Sequence, residues 1–457
     1  MNENSENSTQ LNNQTSEQIQ AIKTSEFMKE TIKQRPINKR KLVRRLLLTV
    51  SMALIFGIVA CLTFIVLEPI INQKITRDEE KVSPVSFEEE TAEEETKRED
   101  MIADSSELAP VIIEQVPVDN AQIEQVLSQM KWGVNDYLSL STVITDMAKS
   151  ISTSMVSVVG IKHDTDWFAN NYDNQNVVSG VIIADNGRDI LMLANLKKLA
   201  DYDSIRVTFF DGMIYDATII MSDSSTGLGI VSIRKNLLLA TTAKDISIIE
   251  IGSSASKNLI GSPIVAMGSP YGTLNSLGIG YITSAGNAVN VPDASYNLLY
   301  TDITASSQAS GILVNLNGQL VGIIDQSFNS SDMSSIISGL GITELKYLIE
   351  RLSNGMEIPY LGLYGTEVTD EISEDLGVPK GLYITGMEMD SPLMETGIQS
   401  GDVIVKFAGV EITKFRDYMM SLYSMTPENE VSVEVMRQSP DGYTKLTMNV
   451  VLAHQDR

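Results

Sequence analysis

The sequence predicts a mainly β protein in which two folded domains follow a single membrane-spanning helix. Three observations predict it. Short strand-like runs broken by turn residues fill positions 155–324 with no helical pattern between them, as in a barrel or sandwich. Residues 356–457 mix strands with one or two helices, enough chain for a separate compact α+β unit. Residues 46–67 are almost unbroken apolar sequence without a charge.

Composition narrows the function. A chain of 457 residues has room for two or more domains with linkers, and 43% hydrophobic residues can build ordinary cores. A net charge of −25 argues against a nucleic-acid partner, which needs basic surface. The one cysteine, Cys61, excludes an intrachain disulfide and leaves the redox compartment open. It sits in an apolar run and reads as a small buried side chain. The two histidines, His163 and His454, are far apart and cannot form a zinc cluster with Cys61. The glycine-rich phrases lack the lysine and helix of a phosphate loop. No metal or cofactor is expected.

The amino-terminal part reads in three pieces. Residues 1–45 form a polar tail that ends in the basic cluster Lys39, Arg40, Lys41, Arg44 and Arg45. Its first 35 or so residues have the composition of disorder. Residues 46–67, as a helix, span about 33 Å, enough to cross a bilayer core. Basic residues before the span and Glu68 after it put the amino terminus in the cytoplasm and the remainder outside. A cleaved signal peptide competes with this anchor. It would have a shorter core and small residues at the cleavage site, whereas Glu68-Pro69-Ile70-Ile71 follow here. Residues 68–137 carry Glu88-Glu89-Glu90 and Glu93-Glu94-Glu95 and read as an acidic, self-repelling stalk. A short helix within 110–135 stays open.

The first folded domain is expected over 138–342. It starts with an amphipathic helix at 142–152, with Val143, Met147 and Ile151 on one face. Strands follow at 155–161, 177–184, 190–194, 205–210, 215–221, 230–233, 264–267, 298–301 and 319–324. Asp211-Gly212 is a turn signal between two of them. Leu345, Leu348, Ile349 and Leu352 then share a helical face, with Asn354-Gly355 as a stop. This makes 343–355 a linker helix ahead of the last domain, 356–457.

Three stretches together resemble the HtrA (Deg) family of serine proteases. Ser179-Gly180-Val181-Ile182-Ile183 through Ile190-Leu191 resembles its paired strands leading to the catalytic histidine. Gly268-Ser269-Pro270-Tyr271-Gly272 and Gly278-Ile279-Gly280-Tyr281-Ile282-Thr283-Ser284 resemble its G-N-P-x-G and G-I-V-S segments. Thr301-Asp302 through Ser310-Gly311 to Asn315-Leu316-Asn317-Gly318-Gln319-Leu320-Val321-Gly322-Ile323 resembles its nucleophile region. Gly381-Leu382-Tyr383-Ile384, Ser391-Pro392-Leu393, Gly397-Ile398, Gly401-Asp402-Val403-Ile404 and Gly409 resemble a PDZ core. The resemblance implies a two-barrel trypsin-like (chymotrypsin-fold) domain followed by a PDZ domain. It also implies a homo- or hetero-trimer built through the barrels. Tyr360-Leu361-Gly362-Leu363 resembles the PDZ loop whose amides hold a peptide carboxylate, with a sheet edge beside it for an extended chain. A PDZ fold used only as a lid or spacer stays open.

The chain departs from the family where the chemistry lies. Ser310 stands at the nucleophile position, but Asn195 takes the histidine's place and Gly227 the aspartate's. An amide is not a base at neutral pH. Asp223 matches an earlier aspartate of the family phrase, not the catalytic one. In the oxyanion loop Gln308 and Ala309 precede Ser310, with Gln308 where the family has glycine. Gln308 is expected to take the glycine's bend only at a steric cost. His163 is expected in an exposed loop near Trp167 and Phe168, and His454 in the carboxy-terminal tail. Lys197 and Lys198 follow Asn195 and raise a Ser–Lys arrangement. Beside Asp201 and Asp203 they read as a solvated face. Loss of triad members costs about 10⁶ in turnover, roughly 8 kcal/mol of barrier.

The expectation is therefore a membrane-anchored, HtrA-like pseudoprotease that binds peptides or unfolded segments outside the cytoplasm. Two alternatives remain: a serine endopeptidase that uses Ser310 with a rearranged base, and a structural adaptor.

Overall fold

The computed structural model describes residues 50–52, 56, 82–88, 133–165, 171–199, 201–255 and 259–455. Residues 50–52 and 56 are helical; the remainder of the expected span 46–67 lies outside the described residues. No helix among the described residues is long and apolar enough to cross a membrane.

Helix α1 (Val134–Ser152) opens the folded part. The Asp136 carboxylate accepts the Gly133 amide at 2.7 Å and so caps the helix start. It begins earlier than the expected 142, and its packing face differs. Ile144, Met147, Ala148 and Ile151 meet the core, while Val143 is exposed.

Six strands follow: β1 (Met155–Thr165), β2 (Asn171–Asp185), β3 (Asp189–Asn195), β4 (Ser204–Thr208), β5 (Ile214–Ser222) and β6 (Leu228–Arg234). They close a barrel in the order β1-β2-β3-β6-β5-β4. Asp211-Gly212 turns β4 into β5 as expected; the Gly212 amide donates to the Phe209 carbonyl at φ +80°. A short helix α2 (Ala240–Asp245) leads on. The second barrel has β7 (Pro263–Ser269), β8 (Ser276–Val291), β9 (Ala294–Thr304), β10 (Ser310–Val314), β11 (Leu320–Ile324) and β12 (Ile336–Gly341), in the order β10-β11-β12-β9-β8-β7. These are the two six-stranded barrels that the resemblance implies. Each encloses its own apolar cluster, for example Val158, Ile182, Met192 and Val231 in the first and Ile264, Leu299, Leu313 and Ile337 in the second.

Helix α3 (Ile342–Ser353) has Leu345, Leu348, Ile349 and Leu352 fully buried and ends at Asn354-Gly355, as the periodicity predicts. It is not a free linker. It packs on β5, β6, β9 and β11 and on a helix of the last domain. Its leucines join one apolar cluster that runs from α1 through the seam of the barrels into the carboxy-terminal unit.

That unit contains β13 (Pro359–Tyr360), β14 (Leu363–Glu367), α4 (Asp370–Leu376), β15 (Leu382–Met387), β16 (Val403–Phe407), β17 (Val410–Glu411), α5 (Phe415–Tyr423), β18 (Glu430–Ser439), β19 (Gly442–Val451) and β20 (Ala453–His454). Its main sheet runs β14-β15-β16-β18-β19, which leaves β14 at an edge beside α5. His454, expected in a tail, pairs in β20 with Pro359 of β13, and its Nδ1 lies 3.1 Å from the Glu357 carboxylate.

Residues 82–88 fall inside the span read as a stalk, and they are docked. Val85 is buried in the large cluster, and the Asn354 side chain bonds both its amide and its carbonyl, at 2.9 and 2.8 Å.

Because α3 joins three packing partners, Leu348→Ala is expected to lower unfolding free energy by about 2–5 kcal/mol. Urea titration followed by circular dichroism checks this; a change below about 1 kcal/mol would contradict the packing described.

Candidate functional site

The first barrel presents Asn195 at the end of β3, a strand buried along its whole length. The side chain is 6% exposed. Its Nδ2 donates to Oδ2 of Asp325 at 2.9 Å, across the seam between the barrels. Its Oδ1 has no hydrogen-bond partner among the described residues. Asp325 is completely buried just beyond β11, and its other carboxylate oxygen accepts the Ser327 amide at 2.9 Å. The amide at the expected base position is thus a structural donor to a buried carboxylate.

Gly227 closes the turn after Asp223, at φ +74°. A Cβ there would lie 3.0 Å from Asn195 Oδ1 and 2.6 Å from Lys197 Cβ. Positions 195 and 227 therefore adjoin, as a base and its orienting acid would, but neither carries an ionisable group. Asp223 has another job. Its carboxylate accepts the Thr226 amide at 2.7 Å and the Gln455 side-chain amide at 2.9 Å, so it braces its own turn.

Ser310 is the first residue of β10 rather than part of a loop, and it is 3% exposed. Its Oγ accepts the Ser179 main-chain amide at 3.1 Å. Among the described residues no basic side chain is hydrogen-bonded to it. A main-chain amide cannot take a proton from a hydroxyl. The three strands meet closely because glycines permit it: a Cβ at Gly311 would stand 2.0 Å from the Met267 carbonyl oxygen.

The expected steric cost at Gln308 does not arise. Gln308 is outside the left-handed region. The chain instead makes a closed turn in which the Gln308 amide donates to Ser306 Oγ at 3.2 Å and the Ala309 amide to the Ser306 carbonyl at 2.9 Å. The Gln308 amide is spent on its own loop and does not face outward to receive a developing oxyanion. Ala309 is fully buried.

The two lysines part company. Lys197 is exposed, as expected of a solvated face, but Lys198 is half-buried and donates from Nζ to the Ala309 carbonyl, one residue before Ser310. Burial pulls its ammonium below the ordinary lysine range, and the Asp325 carboxylate opposes that. Nothing local signals this, since the partner lies 111 residues away. His163, expected in a loop, lies in β1 with Asp173 as its register partner in β2. Trp167 and Phe168 lie outside the described residues. Among the described residues no cluster of metal-ligating side chains occurs.

The second expected site is the loop at 360–363. Gly362 adopts φ +69°, and a Cβ there would strike the Tyr360 ring. Tyr360 donates from its hydroxyl to Asp390 at 3.0 Å. The amides of Leu361, Gly362 and Leu363 converge on one carboxylate, that of Asp293, at 2.7, 2.7 and 3.2 Å. Asp293 lies in the β8–β9 connection of the second barrel. Neither it nor Asp325 stood out in the sequence, and Ser179 was read only as part of a strand.

Comparison with known proteins agrees with this architecture. Residues 178–323 match the trypsin-like peptidase domain family and residues 359–452 the PDZ domain family. The serine protease Do-like HtrA of Lactococcus lactis subsp. cremoris is 25% identical over 356 residues, which cover 70% of this chain and 84% of that protein. The serine endoprotease DegS of Haemophilus influenzae is 28% identical over 269 residues, covering 57% and 74%. A probable periplasmic serine endoprotease, DegP-like, of Rickettsia conorii is 25% identical over 277 residues; the match spans about half of that protein, 51%.

Placing histidine at 195 and aspartate at 227 is expected not to raise turnover, because residue 227 is crowded by Lys197 and the Gln308 amide is engaged. The double variant Asn195→His, Gly227→Asp should hydrolyse unfolded casein no faster than the parent. A rate gain that Ser310→Ala abolishes would contradict the closed loop.

Proposed function

We propose that this HtrA-like chain, a trypsin-like peptidase domain followed by a PDZ domain, binds polypeptide segments without cutting them. One observation carries the reading: the Ser310 hydroxyl meets the Ser179 amide at 3.1 Å, and Asn195, in the place of a base, gives its donor to Asp325. With no basic side chain bonded to Ser310 among the described residues and a closed oxyanion loop, two of the main sources of acyl-transfer catalysis are lacking together. Binding keeps its machinery. Three convergent amides at residues 361–363 suit a carboxylate, and the outer edge of β14, the end strand of its sheet, suits an extended chain. The apolar stretch 46–67 and the basic residues before it support a membrane anchor with the barrels outside the cytoplasm. The Rickettsia relative's description as periplasmic is in keeping with that placement.

A second reading has one observation behind it. Lys198 is desolvated and sits on the carbonyl next to Ser310, the setting in which a lysine acts as a base. Its recorded partner is nevertheless Ala309 and not the hydroxyl.

A fluorophosphonate probe separates the two. The pseudoprotease reading predicts no labelling of Ser310 in the folded full-length protein and no casein cleavage. Labelling that is lost in both Ser310→Ala and Lys198→Met would establish the second reading in its place.

A further inference from the structure

Asp293 is an unusual residue to find in a connection between two strands. It holds φ at +62°, a backbone region that non-glycine residues seldom adopt. It is 5% exposed. Oδ2 accepts the amides of Leu361 and Gly362, and Oδ1 accepts the amide of Leu363 and, at 2.7 Å, the hydroxyl of Tyr418 on α5. Four donors thus surround one carboxylate, with no basic side chain among them. Burial pushes this carboxyl above the usual carboxylate range, and the three amides and Tyr418 pull it back.

The main chain adds a further contact. The Asp293 amide donates to the Leu363 carbonyl at 2.8 Å, on the edge of β14. An extended chain ending at a carboxylate nest makes two kinds of contact: its terminal carboxylate takes the loop amides, and the backbone of its last residue pairs with the strand edge. Asp293 makes both, with its side-chain carboxylate in place of a terminal one.

We infer that Asp293 is an internal ligand of the PDZ domain, so that docking of this domain on the second barrel and capture of a partner's free carboxy terminus are mutually exclusive. The inference rests on the peptide-binding reading above and names its regulation. The incoming ligand is a peptide with a free terminal carboxylate. It must displace Asp293, and the loop at 291–294 must leave the groove between β14 and α5. Apparent affinity is then the intrinsic affinity reduced by the fraction of molecules in which the groove is open.

The test uses the full-length protein and fluorescein-labelled peptides that cover every last residue, each as free acid and as carboxy-terminal amide, with affinity read by fluorescence anisotropy. Asp293→Gly removes the carboxylate and tolerates the positive φ. It is expected to tighten binding of the free acids by about tenfold or more, and to leave the amides unchanged. Asp293→Asn, which keeps one acceptor oxygen, should fall between. Equal affinity in parent and Asp293→Gly would overturn the competition and leave peptide binding standing. Absence of binding by either protein would overturn the peptide-binding reading, and the competition with it. The unaltered protein supplies a readout that needs no variant: saturation with a free-acid peptide should raise its radius of gyration in small-angle scattering as the domain swings away. A peptide bound at saturation with the radius unchanged would overturn exclusion.

Discussion

One carboxylate, that of Asp293, ties the two folded halves of this chain together. Three main-chain amides and a tyrosine hydroxyl from the last domain close around a side chain from the second barrel. A buried carboxylate left without donors would cost several kcal/mol; here four donors supply what water would. The apolar cluster beneath it, running from α1 through α3 to α5, extends the same interface without direction. The polar contact supplies register: with φ at +62° and the Leu363 carbonyl as a further anchor, Asp293 fixes where the domain sits.

The seam between the barrels follows a similar logic. Fixed hydrogen bonds hold it. Asn195 donates to Asp325, the Ser179 amide meets Ser310, and Lys198 caps the Ala309 carbonyl. Each bond satisfies a polar group that the seam buries in whole or in part. Glycine at 311 brings β10 so close to β7 that no side chain fits between them, and Ser310 is held under its neighbours at 3% exposure. A retained serine in such a setting is a packed polar residue, and its identity alone says little about chemistry.

Much of the fold was legible in the sequence because strands announce themselves locally. Apolar alternation, Asp211-Gly212 and the stop at Asn354-Gly355 need no distant partner to be read. Positions 195 and 227, singled out in short phrases with flanking strands, do adjoin in the structure. What stayed hidden depends on residues far apart in the chain. Lys198 looked solvated beside Lys197, yet it is half-buried and donates to the carbonyl of Ala309. Val143 had helical spacing, yet the barrel lies under Ile144. Asp293 carries no local signal; its amide partners come 68 to 70 positions later and Tyr418 125. Gln308 was expected to strain against a glycine's conformation, but the loop could choose a different turn, a freedom that spacing does not reveal.

The most direct measurement of the account is residue-resolved hydrogen exchange at the amides of Leu361, Gly362 and Leu363 in the unliganded full-length protein. Donors locked onto a buried carboxylate should exchange slowly, at rates set by opening of the whole interface. Exchange at the rate of a solvated loop would mean that these amides stand open, and the internally occupied groove would have to be abandoned.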